Sequence, residues 1–132
     1  MKRDMDLVRK ILLKIEDEYR STTLFNIQIE GYDMETVAYH CKIMHEAGLV
    51  SSFSAQYGDN IVWGLRVGSL TWNGNDYLDK VRDDSVWNKT KEVIKEKGLP
   101  LVFETIKTIS TAIITAAAEG VTTASLKNGG QQ

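Results

Sequence analysis

The chain has 132 residues, 42% hydrophobic and 26% charged, with 16 Lys and Arg against 18 Asp and Glu. A formal charge of −2 excludes a domain that holds nucleic acid by bulk positive field, so any such contact has to come from a local patch. One cysteine, Cys41, excludes an internal disulfide and a multi-cysteine zinc site. The opening MKRDMDLVRK breaks its apolar residues with charge too often for a secretory signal, which makes the cytoplasm the expected compartment.

Residues 4–20 carry Leu7, Ile11, Ile15 and Tyr19, flanked by Val8 and Leu12, at helical spacing, which predicts a helix with one wide buried stripe. Asp4 and Asp6 sit where carboxylates complement a helix N-terminus. In STTLFNIQIEGYD the period changes. Phe25, Ile27 and Ile29 alternate with Asn26 and Gln28, the pattern of a half-buried strand, closed by Gly31. Asp33 then caps a second helix whose inward stripe is Val37, Cys41 and Met44, with Ala38 and Ala47 beside it and Gly48 at its C′ position. Leu49 and Val50 lead into a strand through Phe53, Ala55 and Tyr57. After the turn residues YGDN, Ile61, Trp63, Leu65 and Val67 alternate along the returning strand of a hairpin.

LTWNGNDYLDKVRDD predicts a short helix capped by Thr71 or Asn73 and bearing Tyr77, Leu78 and Val81. A break at Asp83–Asp84 starts another from Asp84 or Ser85, with Val86, Thr90, Val93 and Lys97 on one side, ended by Gly98. Pro100 suits the first turn of a last helix. Along it Val102, Ile106, Ile109, Ile113, Ala116 and Gly120 step by four and three alternately in a heptad-like seam. That seam needs a covering surface, the core or a second copy, and a homodimer is expected. Glu104 and Lys107 interrupt the apolar run, so no membrane span is expected. The expected organisation is one domain over 1–98, an amphipathic helix over 99–120 that packs on the core or dimerises, and a disordered tail over 121–132.

Helix, strand, helix, β-hairpin and C-terminal helices make an α+β fold. With HEAGLV running into the hairpin, and with Leu70, Thr71, Gly74, Tyr77 and Leu78 in LTWNGNDYL, it resembles the winged-helix (winged helix-turn-helix) family. The likeness implies a winged-helix-like core in which the second helix is a recognition helix and the hairpin a wing. One departure is LFNIQIEGYDME, which reads as a strand and tight turn where most winged-helix domains place a short helix. Over nearly the whole chain, MKRDMDLVRKILLKIE, LTWNGNDYLDKVRDDSVWNKTK and the amphipathic C-terminal helix are similar to a family of small proteins of bacteria and their phages, known only as a domain of unknown function. That likeness implies a phage or prophage setting.

With Val37, Cys41 and Met44 inward, Thr36, Tyr39, His40 and Ile43 fall outside, and Lys42, His45 and Glu46 lie towards the flanks. The resemblance places Thr36, Tyr39, His40 and Lys42 where winged-helix proteins meet base edges and phosphates. Arg66 is the only basic side chain between residues 49 and 70. The leading expectation is a non-enzymatic, DNA-binding regulator that contacts double-stranded DNA through these five residues. Against it stand Asp33 and Glu35 at the helix N-terminus and Asp59 at the hairpin tip. Cations are also short: a duplex binder needs about 6–10 on one face, and only about five can be assembled, if the basic side of the first helix (Lys2, Arg3, Arg9, Lys10, Lys14) turns towards the DNA. The alternative is a protein–protein module that engages or inhibits a host or phage protein, through the same helix or through the seam of Val102, Ile106, Ile109 and Ile113.

His40 and His45 are five apart and point about 140° from one another round a helix, so they are expected as surface or edge histidines and not as a metal pair. Cys41 is expected as a small buried hydrophobe. The sequence offers no Ser/His/Asp arrangement, carboxylate pair or phosphate-cradling glycine loop, so neither catalysis nor a cofactor is expected. Trp63, Trp72 and Trp87 are expected in the core, mortaring the hairpin to the C-terminal helices.

Overall fold

The computed structural model describes the backbone over residues 1–129 and the side chains as far as Val121. The elements in order are α1 (Met5–Glu18), β1 (Leu24–Phe25), α2 (Met34–Glu46), β2 (Phe53–Gly58), β3 (Ile61–Val67), α3 (Trp72–Val81), α4 (Asp84–Glu96) and α5 (Phe103–Gly129). The fold is mixed α+β, with a small antiparallel sheet ordered β1-β3-β2. Two compact units divide the chain, Met1–Asp79 and the residues from Lys80 onward.

Helix starts are set by side-chain caps. Asp4 accepts from Leu7 N–H at 3.1 Å, Asp33 from Thr36 N–H at 2.8 Å and Asp83 from Val86 N–H at 3.1 Å. The ends of α2 and α4 are alike. Gly48 (φ 76°) donates to His45 O while Leu49 donates to Met44 O, and Gly98 (φ 67°) and Leu99 repeat the pattern on Lys95 and Ile94. The core of the first unit takes Leu7, Val8, Ile11, Leu12 and Ile15 from α1, Val37, Ala38, Cys41 and Met44 from α2, and Leu65 and Val67 from β3. Each large aliphatic side chain among them contributes roughly 1.5–3 kcal/mol on burial.

The AGLV and LTWNG stretches hold one another. The Thr71 hydroxyl donates to Gly48 O and accepts from Gly74 N–H, so Thr71, not Asn73, caps α3. Thr71 N–H donates to Leu49 O, and Val50 and Leu70 form an antiparallel bridge. Gly74 is buried, and a Cβ there would lie 2.1 Å from the Leu49 carbonyl oxygen. These two stretches therefore tie the end of α2 to the start of α3.

The strand expected through Ile29 is cut short. Asn26 has φ 50°, its N–H donates to Leu65 O at 2.9 Å, and its side-chain Oδ1 accepts from Leu65 N–H at 2.8 Å. One residue thus supplies both partners of Leu65, and the chain peels off the sheet after it. Ile27 and Ile29 remain buried while Gln28 and Glu30 are exposed, so the alternation read from the sequence appears in burial without sheet pairing.

Asp59 and Asn60, with φ 53° and 63°, form the two-residue hairpin turn. Near the base of the hairpin, Phe53 pairs with Val67 and Ala55 with Leu65 towards the core, while Ser54–Arg66 and Gln56–Gly64 face the other way. Phe25 pairs with Arg66 and shares that outer face. The next pair is Tyr57–Val62, which leaves Trp63 as an extra residue in a bulge. Beyond it the faces of β3 are exchanged. Ile61 pairs with Gly58 on the outer side, and the Trp63 indole lies over Gly58, where a Cβ would meet Nε1 at 3.2 Å. Ile61 and Trp63, which the unbroken alternation placed with Leu65 and Val67, are instead exposed, at 59% and 58%. Trp72 is 87% exposed, so of the three tryptophans expected in the core only Trp87 is buried.

In the second unit α4 packs on α5, with Trp87, Thr90 and Ile94 of α4 and Ile106 and Ser110 of α5 buried. Along the expected seam Val102, Ile109 and Ile113 are half-buried and Ala116 and Gly120 exposed, as are Ile114 and Val121 outside it. The helix runs to Gly129. Of the disordered tail expected over 121–132, the side chains from 122 and the whole of 130–132 lie outside the described residues.

Candidate binding surface

On α2, Thr36 and Tyr39 are half-buried and Lys42 is exposed. His40 is fully buried, which corrects its place among the residues facing a partner. Its Nε2 accepts from the Asp4 N–H at 2.8 Å, which puts the proton on Nδ1, donating to Thr36 O at 2.9 Å. Asp4 Oδ1 caps α1, and Oδ2 accepts from the Tyr32 hydroxyl at 3.0 Å. The imidazole thus ties α2 to the start of α1. Burial pushes the Asp4 carboxyl up, but the hydrogen bonds from Leu7 N–H and Tyr32 outweigh it and hold the group below its ordinary value. The Tyr32 phenol moves the opposite way, raised by burial and by its bond to Asp4.

Arg66 is exposed, its guanidinium 5.2 Å from the centre of the Phe25 ring. It points away from the core-facing Leu65 and Val67, whereas α2 packs on the core side of β2 and β3. Lys42 and Arg66 therefore lie on opposite sides of the sheet and do not build one basic surface. The cluster on α1 also shrinks: Arg9 is buried, Lys14 pairs with Glu18 at 3.0 Å, and Lys10 lies over the Tyr32 ring. At the head of α2, hydrogen bonds from Thr36 hold the Asp33 carboxyl below its ordinary value, so a negative charge sits where a phosphate would otherwise be drawn.

What the outer face of the sheet does present is apolar and aromatic. Phe25 is 54% exposed and stands in register with Arg66, with Gln56, Trp63 and Ile61 further along. Sequence reasoning missed Phe25, Ile61 and Trp63 as surface residues. The signal that could have found them is Gly58 and Gly64, since a glycine inside a strand pattern marks a bulge or a close approach.

Cys41 is buried, and burial pushes its thiol up to about 12, the setting of an inert hydrophobe. Among the described residues no three of His, Cys, Asp or Glu gather as metal ligands, and no helix is long and apolar enough to cross a membrane.

Residues 2–100 match the family described as Hypothetical protein (DUF2513), and the chain belongs to that family. It is also similar to an uncharacterized protein of Haemophilus influenzae (strain ATCC 51907 / DSM 11121 / KW20 / Rd), 41% identical over 115 residues that span 86% of this chain and 96% of that protein. No solved structure matches. The expectation of a small-protein family of unknown function is met to that extent.

Proposed function

We propose that this chain is a non-enzymatic binding module that engages another protein, in a phage or prophage setting a host or phage protein, through the outer face of its sheet. The observation that carries this reading is the bulge at Trp63, which leaves that indole and Ile61 exposed on the hairpin, further along the sheet from the exposed Phe25–Arg66 pair. Exposed apolar patches with a polar surround mark interaction sites, and Trp and Arg are the residues that most often dominate binding energy. The same face lacks the row of cations that a duplex requires.

The test is retention from nuclease-treated bacterial lysate on the immobilised full chain, followed by titration with the purified partner. Phe25→Ser with Trp63→Ser should weaken that partner at least tenfold. Unchanged affinity in the double variant would overturn the reading.

A second reading is a DNA-binding regulator on a winged-helix-like scaffold. The sheet order β1-β3-β2, with α2 entering the hairpin, favours it, as do Thr36, Tyr39 and Lys42 on the accessible side of α2. It predicts a retarded duplex whose affinity falls steeply with salt and drops in Lys42→Ala. Self-association through α5 belongs to the same proposal, supported by the half-buried Val102, Ile109 and Ile113; light scattering on the full chain reads it.

A further inference from the structure

The two ring nitrogens of the fully buried His40 are committed to opposite roles. Nε2 accepts from the Asp4 N–H at 2.8 Å, and Nδ1 donates to the Thr36 carbonyl at 2.9 Å. A main-chain N–H can only donate, so the nitrogen that meets it offers a lone pair and the closed junction holds a neutral ring. A second proton would have to sit on Nε2, where two N–H groups would then face one another across the contact. Asp4 carries the rest of the junction. Its Oδ1 accepts from Leu7 N–H, its Oδ2 from the Tyr32 hydroxyl, and its carbonyl from Val8 N–H at 3.0 Å.

The charged and titratable groups at this junction come from three stretches. On the α1 side they are Asp4, Asp6, whose charge acts on Tyr32, the buried Arg9, whose charge acts on Tyr77, and Lys10, which lies over the Tyr32 ring. Ahead of α2 they are Tyr32 and the exposed Asp33, and on α2 itself Tyr39 stands edge-on to the imidazole with ring centres 5.6 Å apart. β2 and β3 turn apolar residues to α2, and Arg66 points away. Asp4 is the charge that a protonated ring would act on.

We infer that His40 is an acid-operated latch between α2 and the start of α1. Opening of the first turn of α1 lets a proton from water reach Nε2. Once there, the proton blocks reclosure, because the lone pair that the Asp4 N–H needs is gone. The imidazolium turns to the Asp4 carboxylate, which is then shared with Leu7 N–H and the Tyr32 hydroxyl, so the helix cap and the phenol contact loosen together. Acid therefore shifts the population towards an open start of α1 while Ile11 and Ile15 stay packed. Imidazole is the side chain whose charge changes under mild acid, and the Asp4 carboxyl, held below its ordinary 3.8, stays ionised there. This device is separate from the outer face of the sheet.

The test is NMR of the isotope-labelled full chain between about pH 8 and about pH 5. At the alkaline end a through-bond coupling should join the Asp4 amide nitrogen to His40 Nε2, with the ring proton on Nδ1. On acidification that coupling should vanish as the ring nitrogens reach their protonated shifts, and the Asp4 and Leu7 amide and Tyr32 ring signals should move along the same curve. His45, exposed on α2, is the internal control, and its titration should leave those signals still. His40→Gln keeps an acceptor but has no proton to gain, so its Leu7 and Tyr32 signals should stay flat across the range. Should that variant fold poorly, the wild-type curves still decide. No coupling at the alkaline end, a ring unchanged down to about pH 5, or a ring that titrates while Asp4 and Leu7 stand still would each overturn the inference. So would signals that follow His45, or that keep moving in folded His40→Gln.

Discussion

Two glycines in the first unit do opposite work. At Gly74 the missing Cβ admits the Leu49 carbonyl, and the Thr71 hydroxyl, donating to Gly48 O and accepting from Gly74 N–H, closes the chain on itself. At Gly58 the missing Cβ lets the Trp63 indole approach the neighbouring strand while staying more than half exposed. One absence makes a joint and the other makes a display surface. The contrast teaches that a short sequence motif can be entirely architectural, while exposed aromatic side chains sit where the strand pattern breaks.

Gly74→Ala should show the largest effect. The neighbour it meets is a backbone oxygen that cannot turn aside, so a loss of roughly 3 kcal/mol or outright failure to fold is expected in denaturant titration. Next comes His40→Ala, which removes a fully buried ring and leaves the Asp4 N–H without its acceptor. A loss of about 2–3 kcal/mol is expected, read by the same titration, with no change in binding through the hairpin.

A smaller effect should be seen with pH. The Asp4 carboxyl is held below its ordinary value of 3.8 in the folded chain, so the unfolded chain binds its proton more readily. The stability it contributes is present above that value and is lost as pH falls through the folded one. Melting temperatures of the wild type should therefore fall faster on acidification below about pH 4 than those of Asp4→Asn. Smallest of all should be Gly58→Ala and Trp63→Ser. The new Cβ of the first meets only the Nε1–Cδ1 edge of a side chain that has open water to move into, and the second removes a side chain that is 58% exposed. Each should change stability by no more than about 1 kcal/mol, while Trp63→Ser should weaken binding of the protein partner. A large stability loss in either would make the outer face a piece of architecture too.

Much of the frame was legible because local chemistry sets it. The caps Asp33 and Thr71, the C′ glycines Gly48 and Gly98, and the inward stripe of α2 each depend on residues within four positions. What escaped depends on partners far along the chain. His40 looked exposed on a helical wheel because its acceptor role is answered by a main-chain N–H 36 residues away. Trp63 looked buried because alternation assumes an unbroken register, and one unpaired residue exchanges the faces beyond it. Asn26 looked like mid-strand because its left-handed backbone is decided by Leu65. Arg9 looked like part of a basic patch, yet the chain buries it on α1.

Cys41 has one more use. As the chain's lone thiol, sealed on the inner side of α2, it is a native clock for breathing of the first unit. A chromogenic disulfide reagent can react with it only in molecules that have opened, so the rate of colour release measures how often α2 lifts from its bed, and a ligand clamping that helix would slow it without any label having been attached.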